Sequence, residues 1–280
     1  TTSAGSGGGY DYSGVGGGPP DPHQGGSNGN GNTHPVYNNP APPCDPRVNC
    51  PVLEDTMVEN TPCEKLKKLF APSPIGPNIK SIIENELQTN IPVNPSGEKG
   101  ALLRRNSGGG TGHIIIPPTD KNMIKITAGG YVYSAIHTHP NDTYPMFTWS
   151  DVFTLYTINQ NIAPHNAELA SFLLTCQDEN GAFQTYAIVF NNQTADIVDM
   201  ILNSPEFAGM EKNKIAELKD DELTEKFISE EKGDKNYERA FLQQMLNTNV
   251  SLYKANNDLT NWSRLELNTT TDNTVDIPCN

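Results

Sequence analysis

The sequence predicts an α+β fold (α/β-like) in which a mixed β-sheet is flanked by helices. Short apolar segments bounded by glycine, proline and asparagine indicate strands in the middle of the chain. After residue 194 the apolar residues recur at helical spacing instead. The continuously apolar segment 168–176 is typical of a strand buried on both faces, as in a sheet covered by helices.

Composition divides the chain into four segments. Residues 1–43 hold 12 of the 24 glycines and 7 of the 22 prolines and contain no lysine or arginine. They cannot bury enough apolar surface to offset the entropy of ordering, so we expect a disordered tether. Residues 44–94 are expected to form a helical lead-in, residues 95–193 the core, and residues 194–280 a helical addition with a closing strand packed on the same domain.

Proline and glycine break the lead-in and the core into short elements. The sequence PSPIGP must separate two amphipathic helices, because proline removes a hydrogen bond in a helix interior. The predicted elements are helices over 63–71 and 78–90, strands over 99–105, 112–117, 123–127 and 131–137, a helix from Thr148 to about Gln160, and strands over 168–176 and 182–190.

The helical addition carries an apolar stripe beside an acid-rich face. Apolar residues from Ile215 to Phe227 recur at helical spacing, and the acids of the region 206–247 are expected to form a solvated helix face. A docking surface for a partner is the alternative. The predicted elements are helices over 194–203, 206–231 and 235–247 and a closing strand or hairpin over 250–267.

The net charge excludes some classes of partner. The chain holds 33 Asp and Glu against 19 Lys and Arg, a formal net charge of −14. A field of this sign repels phosphate backbones and anionic membrane surfaces, so we expect no nucleic-acid partner. No apolar run approaches the ~20 residues that span a bilayer, so we expect no transmembrane segment.

The start of the sequence bears on the compartment. The chain begins at Thr1 without methionine, so we expect that a segment upstream was removed. A Gly/Pro-rich tether beside a cleaved start is typical of a secreted or lipid-anchored bacterial protein. We therefore expect an extracytoplasmic location, periplasmic or at the cell surface.

Five cysteines occur without a CxxC pair, a spacing that disfavours a structural zinc site. An odd number leaves at least one unpaired, and Cys176, at the end of the apolar run LASFLLTC, is expected to be a buried thiol. The other four either remain thiols or include a disulfide near the entry to the domain; they are Cys44, Cys50, Cys63 and Cys279.

Two histidines stand at the end of an apolar strand. His137 and His139 are two residues apart, so both imidazoles leave the same face of the strand. Two neutral imidazoles on one face can take two corners of a tetrahedral zinc site, at about 2.0–2.1 Å each. A hydrogen-bonded histidine at the mouth of a strand is the alternative.

The start of the next helix supplies a third group. Thr148 suits the N-cap, and Asp151 suits the third helical position, where the helix dipole favours a carboxylate. A plain capping box without metal is the alternative. A short loop from His139 brings the helix start back over the strand end, which places Asp151 near both imidazoles. Two histidines and one carboxylate with an open fourth position are typical of a hydrolytic zinc site.

Such a site also needs a base that takes a proton from water. The acids between residue 98 and His137 are Glu98 and Asp120. Asp120 lies in PPTDKN and is interpreted as a turn former. Glu98 stands at the start of a strand, and Gly100 beside it would permit a close approach by another chain or a substrate. An exposed strand-end acid is the alternative for Glu98.

The three motifs together resemble the JAMM/MPN+ (JAB) metalloprotease domain. That family has a Glu at a strand start, then H-[ST]-H-P, then [ST]-x-x-D after a short loop; the resemblance covers about residues 95–190. The loop of eight residues here is one longer than is usual, and Thr replaces the commoner Ser. The resemblance implies a JAB1/MPN-like (cytidine-deaminase-like) core and one Zn²⁺ per chain. It also implies these roles: His137, His139 and Asp151 as ligands, Glu98 as general base, and Thr148 as the group that stabilises the tetrahedral intermediate.

The leading hypothesis is a zinc-dependent peptidase or isopeptidase that acts on a peptide or protein. A metal phosphoesterase is a second possibility, but such sites gather further His and Asp ligands, and only His113 and His165 remain in the core. A non-catalytic binding module on the same fold, tethered at the cell surface, is the alternative from another class. In that case the acidic region 206–247 would dock the partner.

Overall fold

The structure, a computed structural model, describes residues 61–71, 78–92, 97–118, 124–191, 196–246, 248–268 and 270–279. Several predictions fall on other parts of the chain. The predicted tether over 1–43, the cysteines Cys44 and Cys50, and the predicted turn at Asp120 lie outside the described residues.

One sheet of eight strands forms the centre of the described structure. Its inner strands are rich in branched and aromatic residues, which pack well on a pleated surface. The strands are β1 (Gly100–Arg105), β2 (Thr111–Ile116), β3 (Val132–Thr138), β4 (Ser171–Gln177), β5 (Phe183–Phe190), β6 (Val250–Ala255), β7 (Trp262–Asn268) and β8 (Asn273–Pro278).

The sheet is mixed, in the order β2-β1-β3-β4-β5-β6-β7-β8. Strands β3 and β4 are parallel, and the other neighbouring pairs of this sheet are antiparallel. A parallel pair needs a crossover connection, which is usually a helix. The crossover from β3 to β4 therefore begins where β3 ends, and it carries the helix that follows the HTHP motif.

Helices lie before, within and after the strands. The lead-in helix over 78–90 changes its hydrogen-bonding pattern along its length, from α to π to 3₁₀. The α-helices are α1 (Pro62–Phe70), α2 (Ile79–Ser81), α3 (Trp149–Asn161), α4 (Asp196–Leu202), α5 (Lys212–Glu231) and α6 (Tyr237–Gln244); the other turns are the π-helix Ile82–Leu87 and the 3₁₀ turns Gln88–Asn90, Pro164–Leu169 and Pro205–Phe207.

Alternate residues of the central strands bury against opposite layers of helices, because strand side chains alternate between faces. Phe172 and Ile188 pack on the side of α3, α5 and α6. Leu173 and Val189, their next neighbours in sequence, pack on the side of α1 and the π-helix. The mixed sheet flanked by helices that the sequence predicts is thus confirmed.

Three predictions about elements need correction. Residues 124–127 of the predicted strand 123–127 form no strand; Ile124 is instead buried against β1 at Gly100. The predicted helix 206–231 is interrupted near Gly209, whose φ of +80° is not helical, and α5 begins only at Lys212. The predicted hairpin over 250–267 is present, but β8 extends it; this polar edge strand has no apolar alternation to reveal it.

A disulfide joins Cys63 of α1 to Cys279, which follows β8. The two residues are 216 positions apart, so the bridge ties the lead-in to the end of the last strand. Cys176 is a buried free thiol, as the sequence predicts. The described helices include none that is long and apolar enough to cross a membrane.

The prediction that the acids of α5 form a solvated face is wrong for Asp220. Glu217, Asp221 and Glu222 are exposed, but Asp220 is buried, with 5 % of its surface exposed. Asp220 lies on the stripe of buried residues that includes Leu223 and faces α3. Its partners belong to the site described next.

Candidate metal centre

The two histidines of the HTHP motif lie at the end of β3, where the parallel neighbour β4 and the following loop hold them. His137 Nδ1 donates to the carbonyl of Leu173 on β4, at 3.0 Å. His139 Nδ1 donates to the carbonyl of Tyr144 in the loop, at 2.8 Å. A carbonyl oxygen can only accept, so these partners place the proton of each neutral ring on Nδ1.

Each ring therefore turns its unprotonated Nε2 toward the other ring. The two Nε2 atoms lie 3.1 Å apart, and both histidines are almost fully buried. Two lone pairs that face each other at this distance repel, and a cation between them would remove the repulsion. The Nδ1 partners serve as the outer contacts that commonly orient metal-binding histidines.

Burial keeps both rings neutral. It lowers the pKa of His137 to about 4, although the charge of Asp151 opposes the shift. It also lowers the pKa of His139, again against the effect of Asp151. The neutral imidazole is the form that binds metal, and the side chains are therefore ready for metal at pH 7 without first losing a proton.

Aromatic neighbours fix the orientation of His137. The ring stacks on Phe172 of β4 with 4.7 Å between centroids and 7° between planes. Phe147, just before α3, lies 6.1 Å away. The imidazole is thus clamped by packing as well as by its hydrogen bond, which favours a single arrangement of the ligand atom.

One oxygen of the Asp151 carboxylate caps the helix and lies 4.0 Å from Nε2 of His139, and the other faces His137. Oδ2 accepts from the backbone N–H of Thr148 at 2.7 Å and from its hydroxyl at 3.1 Å. The Thr148 hydroxyl in turn accepts from the Asp151 N–H, which completes a capping box. Oδ1 lies 3.3 Å from Nε2 of His137. The predicted capping box and the predicted approach of Asp151 to the histidines are therefore both present.

The ligand atoms of His137, His139 and Asp151 all lie within 4.8 Å of one another, and this buried cluster could hold a metal ion. Ligand atoms about 2.0–2.1 Å from one ion at tetrahedral angles are roughly 3.4 Å apart. The separations of 3.1 Å and 3.3 Å from His137 Nε2 are close to that value. The cluster is the only one of this kind within the described residues.

Glu98 lies against the same cluster. Its Oε1 is 4.0 Å from Nε2 of His139, and the side chain has no exposed surface. Neither oxygen makes a hydrogen bond of normal geometry within the described residues. Burial raises its pKa well above the usual range, the charge of Asp151 adds to this, and the nearby backbone of Ile124 opposes it. Two buried carboxylates without a cation are costly, and a divalent ion would offset both charges.

Gly100 allows β1, which begins two residues after Glu98, to lie this close. A Cβ at residue 100 would be 2.4 Å from Cδ1 of Ile124 and 2.9 Å from the carbonyl of Ile136. The close approach predicted at this glycine is therefore made by the protein's own chain. The backbone N–H of Lys99 donates to Thr138 Oγ1 at 2.9 Å, and Thr138 N–H donates back to the Lys99 carbonyl. These bonds hold Glu98 beside the end of β3.

Asp220 is the part of the surroundings that the sequence prediction missed. Its Oδ1 accepts from the Ser150 N–H at 3.1 Å, and its Oδ2 accepts from the Ser150 hydroxyl. Burial raises the pKa of Asp220 to about 7, while the bonds from Ser150 work in the opposite direction. One signal was available, because Asp220 occupies an apolar-stripe position between Ala216 and Leu223.

The predicted site residues thus come together, and the remaining histidines of the core do not join them. His113 and His165 are both exposed, and within the described part of the chain neither belongs to a cluster that could hold an ion. A cavity of about 450 Å³ borders the loop at Tyr144 and Pro145, but none of the four clustered residues lines it. The four residues are covered by the protein in this conformation.

Comparison of this chain with protein-family models, curated proteins and solved structures gave no match. Its chemistry must therefore be inferred from the side chains themselves. Those side chains are two neutral imidazoles, the carboxylate of Asp151 and the carboxylate of Glu98, and all four are buried. The Glu98 oxygens have no hydrogen-bond partner among the residues that the structure describes.

Proposed function

We propose that this protein is a zinc-dependent peptidase or isopeptidase of the JAMM/MPN+ type. The observation that carries the proposal is the buried cluster of His137, His139 and Asp151, beside which the Glu98 carboxylate has no hydrogen-bond partner within the described residues. Nothing in a purely structural role requires two carboxylates and two facing imidazole nitrogens in one buried space. A divalent cation accounts for all four groups at once.

Zinc is the ion that this donor set favours. Two imidazoles and one carboxylate are borderline ligands that suit zinc, whereas calcium and magnesium prefer sites made of oxygen atoms. Three protein ligands also leave a fourth position open, as in hydrolytic zinc sites. We therefore assign His137, His139 and Asp151 as the ligands of one zinc ion per chain.

A zinc ion at this place would polarise a substrate carbonyl and increase the acidity of a water molecule. Glu98 would accept a proton from the attacking water and then pass it to the leaving amine, so that one proton moves through one carboxylate. Burial and the charge of Asp151 raise the pKa of Glu98, which favours uptake of the proton by this carboxylate before it is passed to the amine. We assign Thr148, at the start of α3, to stabilise the charge that develops on the carbonyl oxygen.

The order of the elements supports the family as well as the site. Glu98 precedes β1, the histidines end β3, and Asp151 lies in the first turn of α3. The antiparallel pairing of β1 with β3 brings the start of the first strand beside the end of the third, at Gly100 opposite His137. We therefore propose a JAB1/MPN-like core over residues 95–193.

The disulfide supports a location outside the cytoplasm. The bond between Cys63 and Cys279 is of the kind that persists in oxidising compartments and is rare in the bacterial cytosol. We propose a periplasmic or cell-surface protein, secreted or anchored by lipid. A peptide or protein substrate in that compartment is the class that the proposed chemistry requires.

The test combines metal content with hydrolysis. The purified chain should hold close to one zinc ion by elemental analysis, and it should cleave peptide or isopeptide-linked substrates from a mixed library. A chelator should abolish cleavage, and added zinc should restore it. His137→Ala should lose both metal and cleavage, whereas His113→Ala, at an exposed histidine outside the cluster, should keep both.

A chain that binds no zinc and cleaves nothing would contradict the proposal. If such a chain also bound a protein partner equally well with and without His137→Ala, the non-catalytic binding module would be the better interpretation. Binding that depends on the exposed acids of α5 would then identify the surface responsible.

A further inference from the structure

The C-terminal helical addition reaches the helix that carries the proposed ligand Asp151. Asp220 of α5 accepts two hydrogen bonds from Ser150, one from its backbone N–H and one from its hydroxyl. Ser150 is the second residue of α3 and directly precedes Asp151. A buried carboxylate from a segment 70 positions away is thus attached to the first turn of the ligand-bearing helix.

This attachment satisfies groups that the helix cannot satisfy itself. The first N–H groups of a helix have no acceptor within it, and a negative charge near them is favourable. The Thr148 hydroxyl accepts from the N–H of Asp151, and Asp220 accepts from the N–H of Ser150. The first turn of α3 is therefore held by acceptors from both sides.

Asp220 is held rigidly because α5, the helix that carries it, is packed into the core. Ala216, Leu223 and Phe227 lie on the same side of α5 as Asp220 and are buried with it. On α6, Phe241 packs against Phe147, which precedes α3, with 6.0 Å between centroids. The addition therefore contacts the start of α3 through both a polar pair and an aromatic pair.

We propose that Asp220 is a positioning residue of the metal centre: it fixes the first turn of α3 so that Oδ1 of Asp151 faces Nε2 of His137. This rests on the proposed function, because it takes Asp151 to be a metal ligand. The C-terminal addition is then a part of the site and not an appendage to it. Groups that orient a ligand from outside typically change metal affinity by about 10–100-fold when they are removed.

The experiment measures the zinc affinity of the full chain by competition with a coloured chelator, with folding followed separately by circular dichroism. Asp220→Ala should bind zinc about 10–100-fold more weakly than the wild type. Asp220→Asn should stay within about threefold, because its amide can accept from the Ser150 N–H and donate to the Ser150 hydroxyl. Asp221→Asn, at the exposed neighbouring acid, is the matched control and should not change the affinity.

Loss of affinity in the alanine variant with retention in the asparagine variant would support the positioning role, since a purely structural role changes unfolding but not the affinity of the folded chain. Equal affinity of Asp220→Ala and wild type would overturn it, and so would equal losses in both Asp220 variants. If Asp220→Ala does not fold, Ser150→Ala decides, because it deletes the hydroxyl of the same pair: weaker binding supports the role and unchanged binding overturns it.

Hydrolysis is not needed for this test, so the two proposals can fail separately. A wild type that binds zinc but cleaves no peptide would contradict the peptidase, while the affinity series would still decide the role of Asp220. A wild type that binds no zinc would overturn both proposals.

Discussion

Glu98 Oε1 lies 4.0 Å from Nε2 of His139, although Glu98 precedes β1, His139 follows β3, and the two residues are far apart in sequence. The antiparallel pairing of β1 and β3 brings them together, and the bonds between Lys99 and Thr138 lock the register. A carboxylate placed just beyond bonding distance of a ligand atom can reach a water molecule bound between them. The candidate ion cluster comprises His137, His139 and Asp151 and leaves Glu98 out, so we propose Glu98 as the general base and not as a fourth ligand.

The first prediction tests that division of roles. Glu98→Gln should reduce hydrolysis by about 10²–10⁴-fold, the usual contribution of general acid–base catalysis, because the amide cannot accept the proton. Zinc content should remain close to that of the wild type, because the three ligands are untouched. The measurement is the rate of peptide cleavage together with elemental analysis of the same sample.

Glu86→Gln is the control for this substitution. Glu86 is exposed and pairs with Lys99 at 3.2 Å, so it neighbours the same strand start without entering the site. Its change should leave both cleavage and zinc unaltered. A Glu98→Gln variant that cleaves at the wild-type rate would contradict the assignment of the base, and one that loses zinc would mean that Glu98 is a ligand.

The sequence predicts this site better than it predicts the sheet, for a physical reason. The histidine pair and the capping box are local patterns, since a strand fixes residues two apart on one face and a helix start fixes Thr148 against Asp151. The position of Glu98 depends on strand pairing, so the sequence offers it as a candidate base but leaves an exposed strand-end acid as the alternative. The structure places Glu98 beside His139, a position that local patterns do not determine.

Two other features could not be predicted from local sequence patterns. The edge strand β8 is polar and largely exposed, so no alternation marks it, and its pairing with β7 is visible only in the structure. Asp220 was assigned to a solvated face because it lies in an acidic run. Its burial depends on α5 packing against α3, a contact between segments that sequence spacing does not specify.

The second prediction concerns the cap that shares its carboxylate with the metal centre. Thr148→Ala should lower the free energy of unfolding by about 0.5–2 kcal/mol, the usual cost of a lost N-cap. It should also weaken zinc binding by about 10-fold or more, because Asp151 loses a bond that orients it. Thr148→Ser should retain both properties, because serine keeps the hydroxyl.

Thr61→Ala separates stability from metal binding. Thr61 caps α1 with the same kind of box, through Glu64, and lies in the lead-in. Its loss should cost a similar free energy and leave zinc affinity unchanged. Equal effects of the two alanine variants on zinc affinity would show that Thr148 acts on the metal only through global stability. Both quantities come from denaturant unfolding and from competition with a chelator.

The third prediction uses the glycine that lets β1 approach its neighbours. Gly100→Ala should destabilise the protein by about 1–3 kcal/mol, because the added methyl meets Ile124 and the carbonyl of Ile136 at less than normal contact distance. Displacement of β1 should also move Glu98 and reduce hydrolysis. Gly112→Ala on β2 is the control, since a Cβ there has no atom within 4 Å. Similar melting temperatures for the two variants would contradict the packing argument.

The fourth prediction is a pH dependence that follows from the buried carboxyl of Asp220 in the metal-free chain. Its pKa is about 7 in the folded protein and near 3.8 when unperturbed, so between these values the folded state binds more protons than the unfolded state. The contribution of Asp220 to the free energy of unfolding is therefore at its full value below about pH 4. It decreases as the pH rises toward 7. At about 1.4 kcal/mol for each unit of pKa, the loss is on the order of 4 kcal/mol.

Asp220→Asn removes this titration while the other groups of the site remain. The difference in unfolding free energy between variant and wild type, measured in urea from pH 4 to pH 7 with chelator present, should shift steadily in favour of the variant. Asp221→Asn, at an exposed acid, should show no such drift. A difference between Asp220→Asn and wild type that stays constant over this range would mean that Asp220 titrates at its ordinary pKa, and that its burial against Ser150 does not persist in solution.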